Sequence, residues 1–334
     1  MTSVMEQTSS ISGILEQSDE RLRNAGESLA RVWPTGFAAL DRSLGGGLRG
    51  GGLTLLAGPQ GVGKTTFALQ LARNVARSGK SVVYFSFEHD PEDLLTRLIS
   101  LEAGELLSSR APGLEQIRTV LEDCSVSTSI EERLADLPSG PEALAAVREY
   151  ADRLHVHRAT GTSTDLTEIQ NTAEQVWQAS GQVPMLVVDY LQKVNVPGPQ
   201  TNDEERSGIV AEGLKDLSID GGMPVLAMVA SDRDGITSGR RMRVHHLRGS
   251  SALAYEADAV MIFNQKYDVV ARHHLVYDVT NAEKYHQWAV LTVEKNRFGQ
   301  DGINLEFRKY FHQSRFSPDG SQVTEQLVDD RLFA

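Results

Sequence analysis

Apolar positions Ile11, Ile14, Leu15 and Leu22 fall close to helical spacing in an otherwise polar opening stretch. They predict one amphipathic helix behind a loose tail, together filling residues 1–30. Residues 31–52 are rich in turn formers, with glycine runs at 45–47 and 50–52. Beyond them the pattern changes. A short apolar strand is predicted at 53–57, and a helix at 65–78 with Phe67, Leu69, Leu71 and Val75 among its apolar positions. The next strand is read at 81–87 and the next helix near 91–101. Residues 103–160, punctuated by Pro112 and by Pro138-Ser139-Gly140, predict a mostly helical insert. A helix at 165–179 follows, then strands at 185–188, 224–229, 259–263, 288–294 and 303–308. Strands alternating with helices predict an α/β fold with a mainly parallel sheet covered on both faces. The last three strands lie close together in sequence and predict an antiparallel C-terminal extension of that sheet.

Composition narrows the class. Of the 334 residues, 40% are hydrophobic and 23% charged, as in a soluble globular protein. No run approaches the roughly 20 apolar residues of a membrane helix. The opening residues carry neither a basic start nor an apolar core of a secretory signal, so the expected location is cytoplasmic. The single cysteine, Cys124, excludes an internal disulfide and a cysteine-based zinc site. A net charge of −12 is opposite to that of most nucleic-acid binders, so any such site must be local.

The strongest chemical signal is Gly58-Pro59-Gln60-Gly61-Val62-Gly63-Lys64-Thr65, which fits G-x-x-x-x-G-K-[ST] at every fixed position. It follows an apolar strand and opens an amphipathic helix, which sets it apart from an ordinary glycine-rich turn. Its backbone N–H groups and the helix start can cradle phosphates. Lys64 then reaches the β- and γ-phosphates and the Thr65 hydroxyl ligates magnesium, with Thr66 beside them. ATP and Mg²⁺ are the expected cofactors. Asp189, the first polar residue after four apolar ones, suits the acid on the magnesium side. Glu88 ends the strand that follows the phosphate loop in sequence. In a parallel sheet, the C-terminal ends of neighbouring strands face one crevice, so Glu88 is expected beside the γ-phosphate, though its position also suits an exposed loop carboxylate.

Several segments resemble the motor domain of the bacterial replicative helicases of the DnaB type. They are Thr35-Gly36-Phe37 with Leu40-Asp41, the phosphate loop continuing as Thr66-Phe67-Ala68-Leu69, Phe85-Ser86-Phe87-Glu88, and Asp189-Tyr190-Leu191-Gln192. Leu247-Arg248 through Ala257-Asp258, Lys295-Asn296-Arg297-Phe298-Gly299 and Ser314-Arg315-Phe316 follow in the family's order. The Lys-Asn-Arg-Phe-Gly element is closer to the related RadA recombination helicases. The resemblance implies a RecA-like P-loop NTPase motor over residues 31–317, with a C-terminal tail at 318–334. It makes Glu88 the catalytic glutamate and Asp189 the Walker B aspartate. Arg297 matches the arginine finger that reaches the γ-phosphate of a neighbouring subunit, with Lys295 beside it. It further implies a hexameric homo-oligomer, single-stranded DNA as partner, and no membrane.

In the family a helix before the motor packs on the adjacent subunit, a role that the helix near residues 11–24 fits as well as it fits a cap on its own domain. The loop matching residues 247–251 lines the DNA channel, which implicates Arg248, Gly249 and Ser251. Arg240, Arg241 and Arg243, with Arg233, His245 and His246, form the strongly basic segment of the chain. It reads as a DNA-binding stripe or as a solvated basic loop. Two departures are plain. The family's Ser-Gln, whose glutamine senses the γ-phosphate, is replaced by Val229-Ala230, leaving Ser231 or Asp232 as substitutes. The family's primase-contacting N-terminal domain has no match. The alternative reading is therefore a regulatory ATPase whose nucleotide-dependent assembly switches a protein partner without unwinding.

Overall fold

Five strand segments of this chain are buried along their whole length: Leu53–Ala57 (β1), Val82–Ser86 (β2), Met185–Asp189 (β4), Val225–Val229 (β5) and all but the last residue of Ala259–Gln265 (β6). Such continuous burial is what a parallel sheet covered on both faces demands. The computed structural model describes residues 9–23, 31–125, 127–198, 202–231, 240–247, 249–276 and 279–329. Four further strands, Leu154–Arg158 (β3), Trp288–Asn296 (β7), Ile303–Tyr310 (β8) and Arg315–Phe316 (β9), complete the order β9-β8-β7-β6-β1-β5-β4-β2-β3, and Ser321–Gln322 (β10) adds to β8. The six strands from β6 to β3 are parallel, while β7, β8, β9 and β10 run antiparallel to their neighbours.

Two of the sequence expectations change here. The sequence pattern puts β6 in the antiparallel extension, but the strand pairs in parallel with β1, through Thr54 opposite Ala259. Sequence proximity to β7 misled, because the reversal falls between β6 and β7. Residues 103–160 are mostly helical, yet they end in β3, the edge strand beside β2. Its residues alternate with His155 and His157 and are only half-buried, which hides a strand from an apolar-run reading.

Strand alternation sends successive side chains to opposite layers. Leu53, Leu55 and Ala57 of β1 enter one core with Val188, Val225 and Ile262, while Leu56 enters the other with Tyr84, Val187 and Met261. Helix Ile11–Arg23 (α1) leaves Ile11, Leu15 and Leu22 more than half exposed. Helix Lys64–Arg77 (α2) lies over the second core, anchored one turn in by Phe67. That ring stacks on Phe37 at 4.3 Å and meets Phe263, Phe307 and Phe316 edge-on at 5.0, 5.7 and 5.6 Å. About one turn further along α2, buried Gln70 exchanges both amide hydrogen bonds with the backbone of Phe316, at 3.1 and 2.8 Å. The start of α2 is thereby held against the sheet.

Helix Pro91–Leu107 (α3) follows β2, Leu166–Ser180 (α4) is capped by the Asp165 side chain, and Asp203–Gly221 (α5) by Asn202. Among residues 318–329, several return to the sheet. β10 pairs with β8, Val328 N–H donates to Val269, and buried Lys266 is shared by Glu306 and Glu325. Among the described residues, no helix is long and apolar enough to cross a membrane.

Candidate nucleotide site

The phosphate loop leaves the C-terminal end of β1 and turns into α2. Gly58 and Gly63 have φ of +157° and +101°. A Cβ on Gly58 would stand 2.9 Å from the Phe263 backbone oxygen, and one on Gly63 2.5 Å from the Phe311 ring. Only glycine fits at either place, so the loop can bring its N–H groups to a phosphate surface. Buried Val62 pins the loop to the core. Lys64 Nζ donates to the carbonyls of Gly58 and Pro59 at 2.7 and 3.1 Å. Burial lowers the Lys64 pKa, with Asp189 and Glu88 pulling it back up.

Asp189 ends β4 and is 3% exposed. The Tyr84 hydroxyl donates to its Oδ2 at 2.9 Å. Burial raises the Asp189 carboxyl above its ordinary range, and hydrogen bonds from Tyr84 and Thr65 partly offset this. A carboxylate held in that state favours a cation at its side. The donor set of one hydroxyl, one carboxylate and open space for water suits magnesium, a hard ion that keeps much of its hydration.

Glu88 reaches the site by a route the sequence did not show. β2 is not beside β1; β5 and β4 stand between them. It is β4 that borders β2, and the Phe87 N–H donates to the Asp189 carbonyl at 2.9 Å. Glu88 is therefore a neighbour of Asp189 first, and of the phosphate loop only across the cleft. That cleft, about 550 Å³, is lined among others by Lys64, Thr65, Glu88, Arg97, Asp189 and Phe311. Arg97 and Phe311 escaped the sequence reading. Arg97 stands two turns into α3 and pairs with Asp93 at 2.8 Å, while Phe311 follows β8. No local motif marks either; the sheet order alone brings them in.

At the family's glutamine position, the Ala230 N–H donates to Oε1 of Gln192 at 3.1 Å. Gln192 thus ties the loop after β4 to the end of β5. Ser231 lines the cleft and bridges antiparallel to Leu247. Asp232, Arg233 and Arg248 lie outside the described residues.

The basic segment is less available than its composition suggests. Arg241 is 5% exposed and donates to Thr292 at 2.9 Å and to Asn304. Arg243 pairs with Glu294 at 2.7 Å and with Asp329 at 2.6 Å. Both serve to hold their segment on the sheet, so the DNA contact expected of Arg241 is withdrawn and the charge of Arg243 is already matched. Arg240 is exposed. Gly249, at φ +89°, precedes helix Ser250–Glu256 (α6), and the Ser251 hydroxyl donates to Glu204 at 2.9 Å.

Lys295 and Arg297 stand apart from this cleft. β7 runs antiparallel to β6, with Asn296 opposite Ala259, so its end lies where β6 and β1 begin. The phosphate loop is at the other end of β1, five residues or roughly 17 Å away. Lys295 Nζ donates to the Ala254 carbonyl at 2.7 Å, and Arg297 Nη2 to that of Tyr255 at 3.0 Å. Burial, then the charge of Arg297, lowers the Lys295 pKa.

A parallel sheet with a phosphate loop after a central strand, and an acid ending the strand two places along, defines a RecA-like P-loop nucleotide-binding protein. The family model of the DnaB-like helicase C terminal domain matches residues 33–317, and the chain belongs to that family. A replicative DNA helicase DnaB of Pasteurella multocida (strain Pm70) is 28% identical over 338 residues, covering 98% of this chain and 65% of that protein. One from Rickettsia bellii (strain RML369-C) is 26% identical over 323 residues, with 89% and 59% covered. The chain thus spans under two thirds of the length of these relatives. Among solved structures, a DnaB-like replicative helicase studied for its interactions with primase superposes with a TM-score of 0.68 at 20% identity, covering 92% of this chain and 67% of that one. The fold expected from the sequence, a mainly parallel RecA-like sheet with antiparallel strands at its C-terminal edge, is the one observed.

Proposed function

We propose that this chain is an ATP-hydrolysing motor that assembles into a ring, a hexamer by the family's habit, and acts on single-stranded DNA. The observation that carries it is a division of labour across one sheet. Lys64, Thr65, Glu88 and Asp189 line one cleft, while Lys295 and Arg297 lie at the opposite end of β1, the strand that carries the phosphate loop. A nucleotide in the cleft needs a second subunit to receive those cations. Exposed Ile11, Leu15 and Leu22 of α1 suit the same purpose, as an apolar face for the adjacent subunit.

ATP is held by the phosphate loop residues Gly58 to Thr66, with Lys64 on its outer phosphates. Magnesium, when bound by Thr65 and through water by Asp189, spreads the charge of the phosphates. Glu88 orients the attacking water and takes its proton. Arg297 of the neighbouring subunit steadies the charge on the transferred phosphoryl group, and Lys295 supports it. Arg240, Arg248, Gly249 and Ser251 are the remaining candidates for the DNA side, backed by Arg243 as a structural cation. The replacement of the family's glutamine by Ala230 moves the link between cleft and DNA segment to Gln192 and Ser231.

The deciding experiment measures ATP turnover and particle mass with and without oligo-dT. Turnover is expected to rise several-fold on DNA at low salt, and the stimulation to fade as salt is raised. If single-stranded DNA neither binds nor stimulates at low salt, the motor reading fails. Lys64→Ala gives a second, simpler check. Mg-ATP at a hundred times its Kd should stabilise the unaltered protein by about 2.7 kcal/mol. Thermal melting should show that shift vanish in Lys64→Ala, and a surviving shift would place the nucleotide elsewhere.

A further inference from the structure

Asp258 precedes β6 and is 3% exposed. Its Oδ2 accepts from the Leu53 N–H and from Lys215 Nζ, each at 2.8 Å, and its Oδ1 faces Arg297 Nη1 at 3.4 Å. The backbones repeat the link: the Asp258 N–H donates to the Leu53 carbonyl, and the Arg297 N–H to the Asp258 carbonyl, both at 2.8 Å. Leu53 is the first residue of β1, the strand that delivers Gly58 to the phosphate loop. One acidic residue therefore touches the root of the chain's own nucleotide site and the cation it presents to another.

We propose that Asp258 is the positioning residue for Arg297, fixing the guanidinium to the strand that carries the chain's own phosphate loop. The proposal rests on the reading of Arg297 as a group acting on the neighbour's nucleotide.

The geometry favours this over a plain buried ion pair. Lys215, 14% exposed at its side chain, already neutralises Asp258 and also donates to the Gly51 carbonyl at 2.7 Å. An acid needed only to pair Lys215 would leave no oxygen turned to a second cation. At 3.4 Å the contact with Arg297 is longer than a direct charge-assisted hydrogen bond. It aims the guanidinium without locking it, and 48% of that side chain stays exposed to meet a phosphate. Arg297 Nη2 also donates to the Tyr255 carbonyl and its neighbour Lys295 Nζ to that of Ala254, at the C-terminal end of α6, where the helix dipole favours positive charge. α6 starts at Ser250, inside the candidate DNA segment of residues 247–251. Asp258 thus stands two residues after the short helix that begins in the candidate DNA segment.

Asp258→Asn tests the proposal, because the amide oxygen can still accept the Leu53 N–H while the charge is lost. Misplacing a catalytic group by about 1 Å costs up to about a hundred-fold in rate. In assembled Asp258→Asn protein, kcat is expected to fall about ten- to a hundred-fold. Affinity for a fluorescent ATP analogue and particle mass should not change. In an Arg297→Ala background, the same substitution should cost nothing further, since its target is gone. Unchanged kcat in Asp258→Asn, or losses that multiply in the double variant, would overturn the proposal. Wild-type turnover in Arg297→Ala alone would instead remove the trans reading beneath it. Should Asp258→Asn fail to fold because Lys215 is left unpaired, Asp258→Asn/Lys215→Met buries no lone charge and is judged by the same outcomes.

Discussion

An Arg297→Ala chain is expected to hydrolyse ATP about 10³–10⁵ times more slowly than the unaltered chain, while binding nucleotide as well as before. The size follows from what a guanidinium does at a transferring phosphoryl group, where charge spreads over three oxygens as the bond to the leaving oxygen lengthens. Unaltered binding follows from position. Arg297 belongs to the far end of β1 from Gly58 and does not line its own cleft. Phosphate release measured on the assembled protein, beside binding of a fluorescent ATP analogue, separates the two quantities. Wild-type turnover would end the assignment of Arg297 to hydrolysis.

Glu88→Gln is expected to bind ATP and to release phosphate about 10²–10⁴ times more slowly. The amide keeps the size of the carboxylate but cannot take the water's proton. Glu88 is exposed, so the change should leave folding untouched. Single-turnover hydrolysis after loading with ATP reads the chemical step directly, and normal turnover would remove Glu88 from it. The two variants also test each other. In a mixed assembly, Glu88→Gln subunits still offer Arg297, and Arg297→Ala subunits still offer Glu88. Random mixing restores up to about a quarter of the junctions between subunits, so the mixture should outpace either variant alone.

How far the residue pattern foretold this arrangement depended on distance along the chain. The phosphate loop was legible because its eight residues are consecutive in the chain and need no distant partner to be recognised. Asp189 was legible because it is the first polar residue after four apolar ones. Glu88 was placed in the right cleft by an incomplete argument, since its strand borders β4 rather than β1. Strand order is set by packing that no single segment records. The arginines show the same limit more sharply. Arg241 and Arg243 read as one basic stripe, yet Arg243 meets Glu294, 51 residues on, and Asp329, 86 residues on. In an acidic chain, such partners are plentiful, and only the fold says which cation each acid takes. β3 was missed because an edge strand half open to water carries no continuous apolar run.

The separation of phosphate loop and Arg297 to opposite ends of β1 also constrains how copies can meet. A two-fold dimer serves both sites only where the two copies lie antiparallel, each far end against the other's near end; every other arrangement is head to tail. If Arg297 acts on a neighbour's nucleotide, a head-to-tail contact is directional, and each copy that gives a cation still waits to receive one. A finite assembly built this way satisfies every subunit only by closing on itself; otherwise it grows as an open helix. Whether it closes is set by the angle from one copy to the next.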